Sequence, residues 1–375
     1  MTREWQPVDI ARRRLVAQRV HDPLSAAPLD VVTHLTAMQG QDLPGVLWSI
    51  GLRTGATEAE VRASFDRGEL VRSWPMRGTL HVTTPDDLRM ILPLSRHRLT
   101  TSFATRHREL GITDGDLTAA TDAGVRALAN GPLVRKALLG AFEAAGQSIA
   151  GQRGIHLISA MAHAGLICLG PFVGKEQAFV LLDAWAPPGR APLERDGALA
   201  ELAHRYFTGH GPATAADFAW WANLTLTDVR AAISRVEDRL GSVSVDGTTW
   251  YASPAVLALE RPLPGARAVH ALPGFDENLL GYTDRSAALA PEHAQLIVPG
   301  NNGVFKPTIV VGGRVVGTWT RTEKPGAIHV TALPFAALSV SQESAIARAI
   351  ARYGRFKAKP VELTIAAPGA GSGAR

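Results

Sequence analysis

The sequence predicts an α+β fold: three tandem winged-helix modules followed by a mainly β, barrel-like C-terminal domain. Three observations carry this. A rhythm of helix-like segments closed by a hairpin recurs before residue 268. Asp246-Gly247 stands between two alternating segments, the strongest short-range hairpin signal. From about residue 268 the texture changes to short strand-like runs broken by glycine and proline. The expected modules are residues 1–112, 113–192, 193–262 and 263–375.

The elements follow in order. Residues 8–20 repeat apolar positions at helical spacing, and PLDVVTHLTAMQG predicts a second helix with Asp30 as its N-cap, ended near Gly40. PGVLWSIGLRT predicts a short helix with Pro44 in its first turn. TEAEVRASFDRGELVRSW predicts one helix entered through a Thr57-x-x-Glu60 capping box. MRGTLHVTT alternates as a strand does, and residues 85–110 are helical with a break near Pro93. A second unit opens near Thr113 with two helices, then an apolar helix that turns into a short strand. The third, about 195–253, repeats the pattern and ends in SVSVDGTTWYA. Beyond it, Val311-Gly312-Gly313-Arg314 predicts a second tight hairpin, SQESAIARAIARYGRFK a helix with a basic face, and PVELTIA a last strand. The low-complexity end AAPGAGSGAR is expected to fray.

Composition bounds the function. The chain has 375 residues, is 46% hydrophobic and 19% charged, and so can bury several cores. Its net charge is +5, and only six lysines occur, so the basicity is arginine. Arginine suits bidentate phosphate recognition, which permits a nucleic-acid partner without requiring one. Cys168 is the only cysteine, which excludes an internal disulfide and points to a reducing compartment. No run reaches the ~18 apolar residues of a membrane span. The expectation is a cytoplasmic, nucleoid-associated monomer.

Most conventional chemistries find no residues. No GxxxxGK[ST] loop or GxSxG elbow is present. His97 with His107, and His156 with His163, lack the i,i+4 spacing of a helical zinc pair. No metal and no cofactor is expected. Pro299-Gly300-Asn301-Asn302-Gly303 either cradles a phosphate or simply turns the chain. Asp276, Glu277 and Asp284 with Arg285 supply either a catalytic carboxylate or an ion-paired corner that packs Phe275, Leu279, Leu280 and Tyr282.

Gln39-Gly40-Gln41 is the unusual feature. The two glutamines are either solvent-facing residues at a helix end or a pair pointing into a cleft. In an extended segment residues i and i+2 point the same way, so two carboxamides can hold one water. Such a site has no strong base. It suits a leaving group that is already activated, such as an N7- or N3-alkylated purine carrying a positive charge. Its glycosidic bond ionises without a general acid, whereas ordinary glycosidases need two carboxylates.

The stretches MQGQD, RGTLHV, FDENLLGYTDR and VPGNNGVFKPTIVVGGRVVGTW resemble the bacterial winged-helix DNA glycosylases of the AlkZ type, the azinomycin-resistance group, over about residues 30 to 320. The resemblance implies three tandem winged helices, a barrel-like C-terminal domain, excision of alkylated purines from double-stranded DNA and, in some members, unhooking of interstrand crosslinks. It also implies a catalytic loop that is Gln-x-Gln in one branch and Gln-x-Asp in another; Gln39 and Gln41 match the first. Arg77, Thr79 and His81 are expected to line the cleft from one strand. Arg285, Asn301 and Asn302 are expected to contact DNA. The segment VGGRVVGTWTR is expected to probe DNA, with Arg314 and Arg321 as contacts; its alternative is a plain strand pair. The competing reading is a winged-helix regulator, or a damage-binding resistance protein without catalysis.

Overall fold

A computed structural model describes residues 5–23, 26–259 and 263–369. The first segment runs α1 (Pro7–Ala17), α2 (Pro28–Leu35), β1 (Ala37–Gln39), α3 (Leu43–Thr54), α4 (Glu58–Asp66), β2 (Val71–Met76), β3 (Thr79–Thr83) and α5 (Pro85–Glu109). The second runs α6 (Asp114–Leu128), α7 (Arg135–Ala144), α8 (Arg153–His163), β4 (Ile167–Val173), β5 (Glu176–Leu181) and the short α9 (Leu182–Trp185). The third holds α10 (Arg195–His210), α11 (Ala215–Ala222), α12 (Leu226–Ser234), the hairpin β6 (Gly241–Val245) and β7 (Thr248–Ala252), and α13 (Pro254–Leu257). The last holds β8 (Val269–Leu272), α14 (Glu277–Leu280), α15 (Ala294–Ile297), β9 (Thr308–Val311), β10 (Arg314–Glu323), β11 (Ile328–Pro334), α16 (Val340–Lys357) and β12 (Val361–Ile365).

The fold is mixed α and β, as expected. The β6–β7 turn is Asp246-Gly247 with φ of 49° and 73°, the positive pair that a two-residue hairpin needs. Several boundaries differ from expectation. The second helix stops at Leu35, and residues 37–39 become a strand because they pair with residues 81–83 of β3. Asp30 is not the N-cap but the third helical residue, its carboxylate accepting the Ala27 N–H. The helix from Glu58 ends at Asp66, where Gly68 takes a φ of 75° and turns the chain into β2. The expected strand 76–84 is the second arm of a hairpin turned at Arg77-Gly78. Pro93 does not break α5, whose buried Leu88, Ile91, Leu92 and Leu94 hold it continuous. Part of the expected fraying end, residues 370–375, lies outside the described residues, as do residues 260–262 at the third module boundary.

One five-stranded sheet has the order β1-β3-β2-β4-β5, so the first and second segments share it. The other has the order β12-β11-β10-β9-β8. Its end strands β12 and β8 do not pair with each other, so the barrel expected from the sequence is an open sheet. The helix α16 packs across it instead, burying Ile346, Ile350, Tyr353 and Phe356 against the strands.

The largest core joins the two ends of the chain. Leu15, Val31, Leu35, Trp48 and Phe65 belong to one apolar cluster with Ala271, Val310, Trp319 and Tyr353. Indole N–H groups tie it down: Trp48 donates to Ala271 O at 3.0 Å and Trp319 to Leu272 O at 2.8 Å. Burying such large side chains stabilises by roughly 1.5–3 kcal/mol each. A second cluster packs α10 to α12 onto Met76, Ile91 and Tyr282, and a third packs α6 to α8 beneath Trp74 and Phe179.

A buried ion pair fastens α3 to α14. Arg53 donates from both terminal nitrogens to Asp276, each at 2.9 Å, and from Nε to Gln18 O at 2.8 Å. Ser49 Oγ adds a bond to Asp276 at 2.7 Å, and Asp276 caps α14 by accepting the Asn278 N–H. This answers one sequence question: Asp276 is the ion-paired corner. Asp276→Ala strands a buried guanidinium and should lower folding stability by about 3–5 kcal/mol, measured by urea unfolding; a loss under ~1 kcal/mol would mean that the pair is dispensable.

Candidate active site

The glutamine loop hangs from an edge strand. Gln39 stands opposite His81 across β1 and β3, and the pairing runs one residue further through Gly40 N–H to Leu80 O at 2.7 Å. Beneath it, Arg72 donates from Nε to Gly40 O at 2.8 Å and from Nη1 to Gln177 Oε1 at 3.0 Å. Burial lowers the Arg72 pKa to about 10, so it stays charged near neutrality. The second segment, through Gln177 of β5, thus supports the loop of the first.

The side chains of Gln39 and Gln41 fold into one turn. Gln39 is only 5% exposed, and its Oε1 accepts the Gln41 N–H at 2.6 Å. Gln41 is exposed, and its Oε1 accepts the Leu80 N–H at 3.0 Å. Each carbonyl keeps a second lone pair. Neither Nε2 has a hydrogen-bond partner among the described residues. The pair therefore offers two fixed acceptors and two uncommitted donors, without a titratable group.

Glu277 anchors the loop from below. Its carboxylate is 1% exposed and accepts three donors: Gln39 N–H at 2.7 Å, Trp221 Nε1 at 3.0 Å and His210 Nε2 at 3.3 Å. Burial pushes its pKa up, but the His210 hydrogen bond and the Arg77 charge are among the interactions that offset this and hold it at about 2. An acid this strong with both oxygens engaged is a poor general base. Of the other acidic residues, Asp284 is exposed and closes a local turn by accepting the Ser286 N–H.

A basic and aromatic wall flanks the loop. Contrary to the expectation that it sits on a strand, Arg77 is the first residue of the β2–β3 turn, with a φ of 54°. Two-residue hairpin turns require positive φ there, and the hairpin geometry imposes it. Arg77 Nη1 donates to Trp221 O at 2.6 Å and Nη2 to His81 Nε2 at 3.2 Å. His81 is fully buried, and its Nδ1 donates to Thr79 O at 2.9 Å. These two bonds fix a neutral imidazole; burial first, then the Arg77 charge, lowers its pKa to about 3. Thr79 Oγ1 faces Met76 O within the hairpin. The Arg77 guanidinium carbon lies 4.4 Å over the Trp220 ring, and that of Arg285 lies 5.7 Å over the same ring and 5.0 Å over Phe305. A groove of about 960 Å³ opens here, lined by Arg77, His97, Arg98, Ser102, Trp220 and Asn223.

The remaining expected contacts are not all gathered. Asn301 and Asn302 close a local turn, with Oδ1 accepting from Gln295 Nε2 and Val304 N–H respectively. Arg314 is exposed and donates to Ser286 O at 3.3 Å, next to Arg285. Arg321 lies apart, 5.7 Å from the Trp319 and Tyr353 rings. The Gly312-Gly313 turn cannot be an inserting tip as expected: it is buried, and Arg12 of α1 donates to Gly312 O at 3.0 Å. His107, His156 and His163 surround Phe103, with His107 and His156 ring centroids 5.3 Å apart. No group of three or more His, Cys, Asp or Glu among the described residues is arranged to hold a metal.

Sequence reasoning missed Trp220, Trp221 and His210. The signal was the adjacent pair in AWW: neighbours on a helix do not share a face, so only one tryptophan can be core. Trp221 is buried and Trp220 half-buried.

The His81 environment has a pH signature. Its depressed pKa means that unfolding takes up a proton between about pH 6.5 and 3, so stability falls as pH drops below 6.5. Glu277 adds in the same direction from pH 4.5 down to about 2. His81→Gln should flatten the stability–pH slope between about pH 6 and 4 by up to about 1.4 kcal/mol per pH unit, read from urea midpoints. An unchanged slope would mean that His81 titrates inside the fold.

Comparison with known proteins bears on this geometry. The chain is 28% identical over 305 residues to a Streptomyces sahachiroi protein named interstrand DNA cross-link repair glycosylase, covering 77% of this chain and 81% of that one. Its structure is similar to that of Streptomyces sahachiroi DNA glycosylase AlkZ, with a TM-score of 0.78 and 25% identity, over 97% of this chain and 100% of the other. The model of the AlkZ-like DNA glycosylases matches residues 32–356, from before the glutamine loop to the end of α16, and the chain belongs to that family.

Proposed function

We propose that the chain is a monofunctional, metal-independent DNA glycosylase. It hydrolyses the N-glycosidic bond of cationic alkylated purines of the N7-alkylguanine type, in double-stranded DNA. The observation that carries the reading is the fixed Gln39–Gln41 turn, seated on an ionised carboxylate beside an arginine-lined groove, in a chain of the AlkZ-like family. The three helix-and-hairpin units, at about 1–112, 113–192 and 193–262, act as winged helices around DNA.

The chemistry follows from what the site offers. A cationic purine leaves without being protonated, so no acid is required. The free lone pairs of Gln39 and Gln41 accept from a water and aim its oxygen at C1′; the C1′–N bond electrons neutralise the departing purine, and the proton of the attacking water is released to solvent. The Glu277 carboxylate, one hydrogen bond below Gln39, favours the oxocarbenium-like charge that develops on the sugar. A neutral base leaves too slowly for such a site, which gives selectivity for damage. The relative named for cross-link repair supports interstrand crosslinks as substrates too, each unhooked by the same bond cleavage.

Single-turnover release of N7-methylguanine from a defined duplex, with alkali cleavage at abasic sites, tests the proposal. Gln39→Ala and Gln41→Ala should each lose ~100-fold or more, the range for removing a positioning or electrostatic group. A crosslinked duplex follows if methylguanine is not released. Inactive wild type on both, with DNA binding intact, would leave a damage-binding or regulatory protein.

A further inference from the structure

Arg77 and Arg285 are set apart by lying over one indole ring, that of Trp220. The buried Arg14 and Arg53 pair with Asp217 and Asp276, and Arg72 satisfies its fork with neutral carbonyl oxygens. By contrast, no carboxylate forms an ion pair with Arg77 or Arg285 among the described residues. Arg285 uses only Nε, which donates to Leu279 O at 2.8 Å; its Nη1 and Nη2 have no partner among the described residues. Both guanidinium carbons lie over the one indole of Trp220. Two unpaired cations beside one another repel, and a partly buried position weakens solvent screening. Carboxylates act on them only at longer range, Glu277 on Arg77 and Asp217 with Asp284 on Arg285, and neither guanidinium is in a direct ion pair among the described residues.

Geometry selects the kind of anion. Aromatic rings lie over the guanidinium carbons, Trp220 for Arg77 and both Trp220 and Phe305 for Arg285. Ring contacts leave both Arg285 Nη groups available, whereas Arg77, whose Nη1 and Nη2 each already make one bond, offers Nε and its remaining N–H groups; such edges match phosphate oxygens. Stacking on a nucleobase would need a guanidinium face, and for Arg285 two rings compete for it. Arg77 also occupies a left-handed turn position where asparagine or glycine is the usual residue, and strain of this kind accompanies function. The pair lines or adjoins the groove, and through His81 it touches the strand that faces Gln39.

We propose that Arg77 and Arg285 form a clamp for one backbone phosphodiester beside the Gln39–Gln41 loop, with Trp220 as the residue that positions both. The inference rests on the DNA reading above. It goes beyond general arginine contacts by assigning both cations to a single phosphate and by giving an uncharged residue an electrostatic role.

Binding of a lesion-free duplex is measured by fluorescence anisotropy across a salt series, with the full chain. One phosphate contact contributes about 0.9 to the slope of log affinity against log salt. Arg285→Gln and Arg77→Gln should each reduce the slope by up to about 0.9, and the double variant by no more than about 0.9. Trp220→Ala should reduce it similarly although no charge is removed, while Trp220→Phe keeps the wild-type slope. A double variant losing about 1.8 would assign two separate phosphates and overturn the clamp. So would an unchanged slope in a folded Trp220→Ala, since a merely structural tryptophan lowers the melting temperature and not the counterion count. Should Trp220→Ala fail to fold, duplexes carrying one neutral methylphosphonate at successive positions decide the matter. Wild type should lose affinity at one position, and Arg285→Gln should lose no more there; a further loss in the variant overturns the proposal. A flat salt response in wild type would instead sink the DNA reading itself.

Discussion

Three hydrogen bonds converge on the Glu277 carboxylate, one from the backbone of Gln39, one from Trp221 of α11 and one from His210 of α10. Removing a carboxylate from water is costly, and only a full set of donors offsets it. Once satisfied, the group is rigid, because any movement of one donor exposes the others to an unmet charge. Further bonds brace the donors themselves: Gln18 Nε2 donates to Glu277 O and to Tyr282, whose hydroxyl donates to His210 O. The glutamine loop inherits this rigidity through a single 2.7 Å contact.

The surrounding charges are sorted by height above that anchor. Glu277 and the neutral His81 lie buried at the base. Arg77 and Arg285 rise beside Trp220 toward the groove. A neutral His81 matters here, since its Nε2 must accept from Arg77 and a protonated ring cannot. Arg77 and Arg285 place positive charge around Trp220, while Glu277 below Gln39 carries a negative one. That division suits a substrate whose backbone is anionic and whose reacting sugar becomes cationic.

The sequence conveyed most of the helices and the hairpin at Asp246-Gly247, and it singled out Gln39 and Gln41 as the candidate pair. It misjudged the local structure of that pair. ThrAlaMetGln continues a helical apolar pattern, and only pairing with a strand forty residues later makes it extended. Register of this kind is a tertiary fact that local periodicity does not contain. Of the strand expected to line the cleft, only Arg77 reaches the groove, from the Arg77-Gly78 turn, while His81 is fully buried beneath it; the run of buried residues before the turn hid that β2 ends at Met76. Glu277 read more readily as a structural corner than as a catalyst, and the sequence could not show the donors from α10 and α11 that hold it. The Gly312-Gly313 turn was correct as a turn and misassigned as a probe, since nothing local reveals that α1 covers it.

The distance along the chain between Gln39 and Glu277 has a consequence for synthesis. The bond between them spans 238 residues. A ribosome adding roughly 5–20 residues per second needs on the order of 10–50 s to cross that interval. During this time the emerging polypeptide has a glutamine loop with no carboxylate beneath it, and an N-terminal core whose apolar partners are not yet made. The nascent chain therefore lacks this anchor until residue 277 has been made, and Leu15, Trp48 and Phe65 wait as long for the C-terminal part of their cluster.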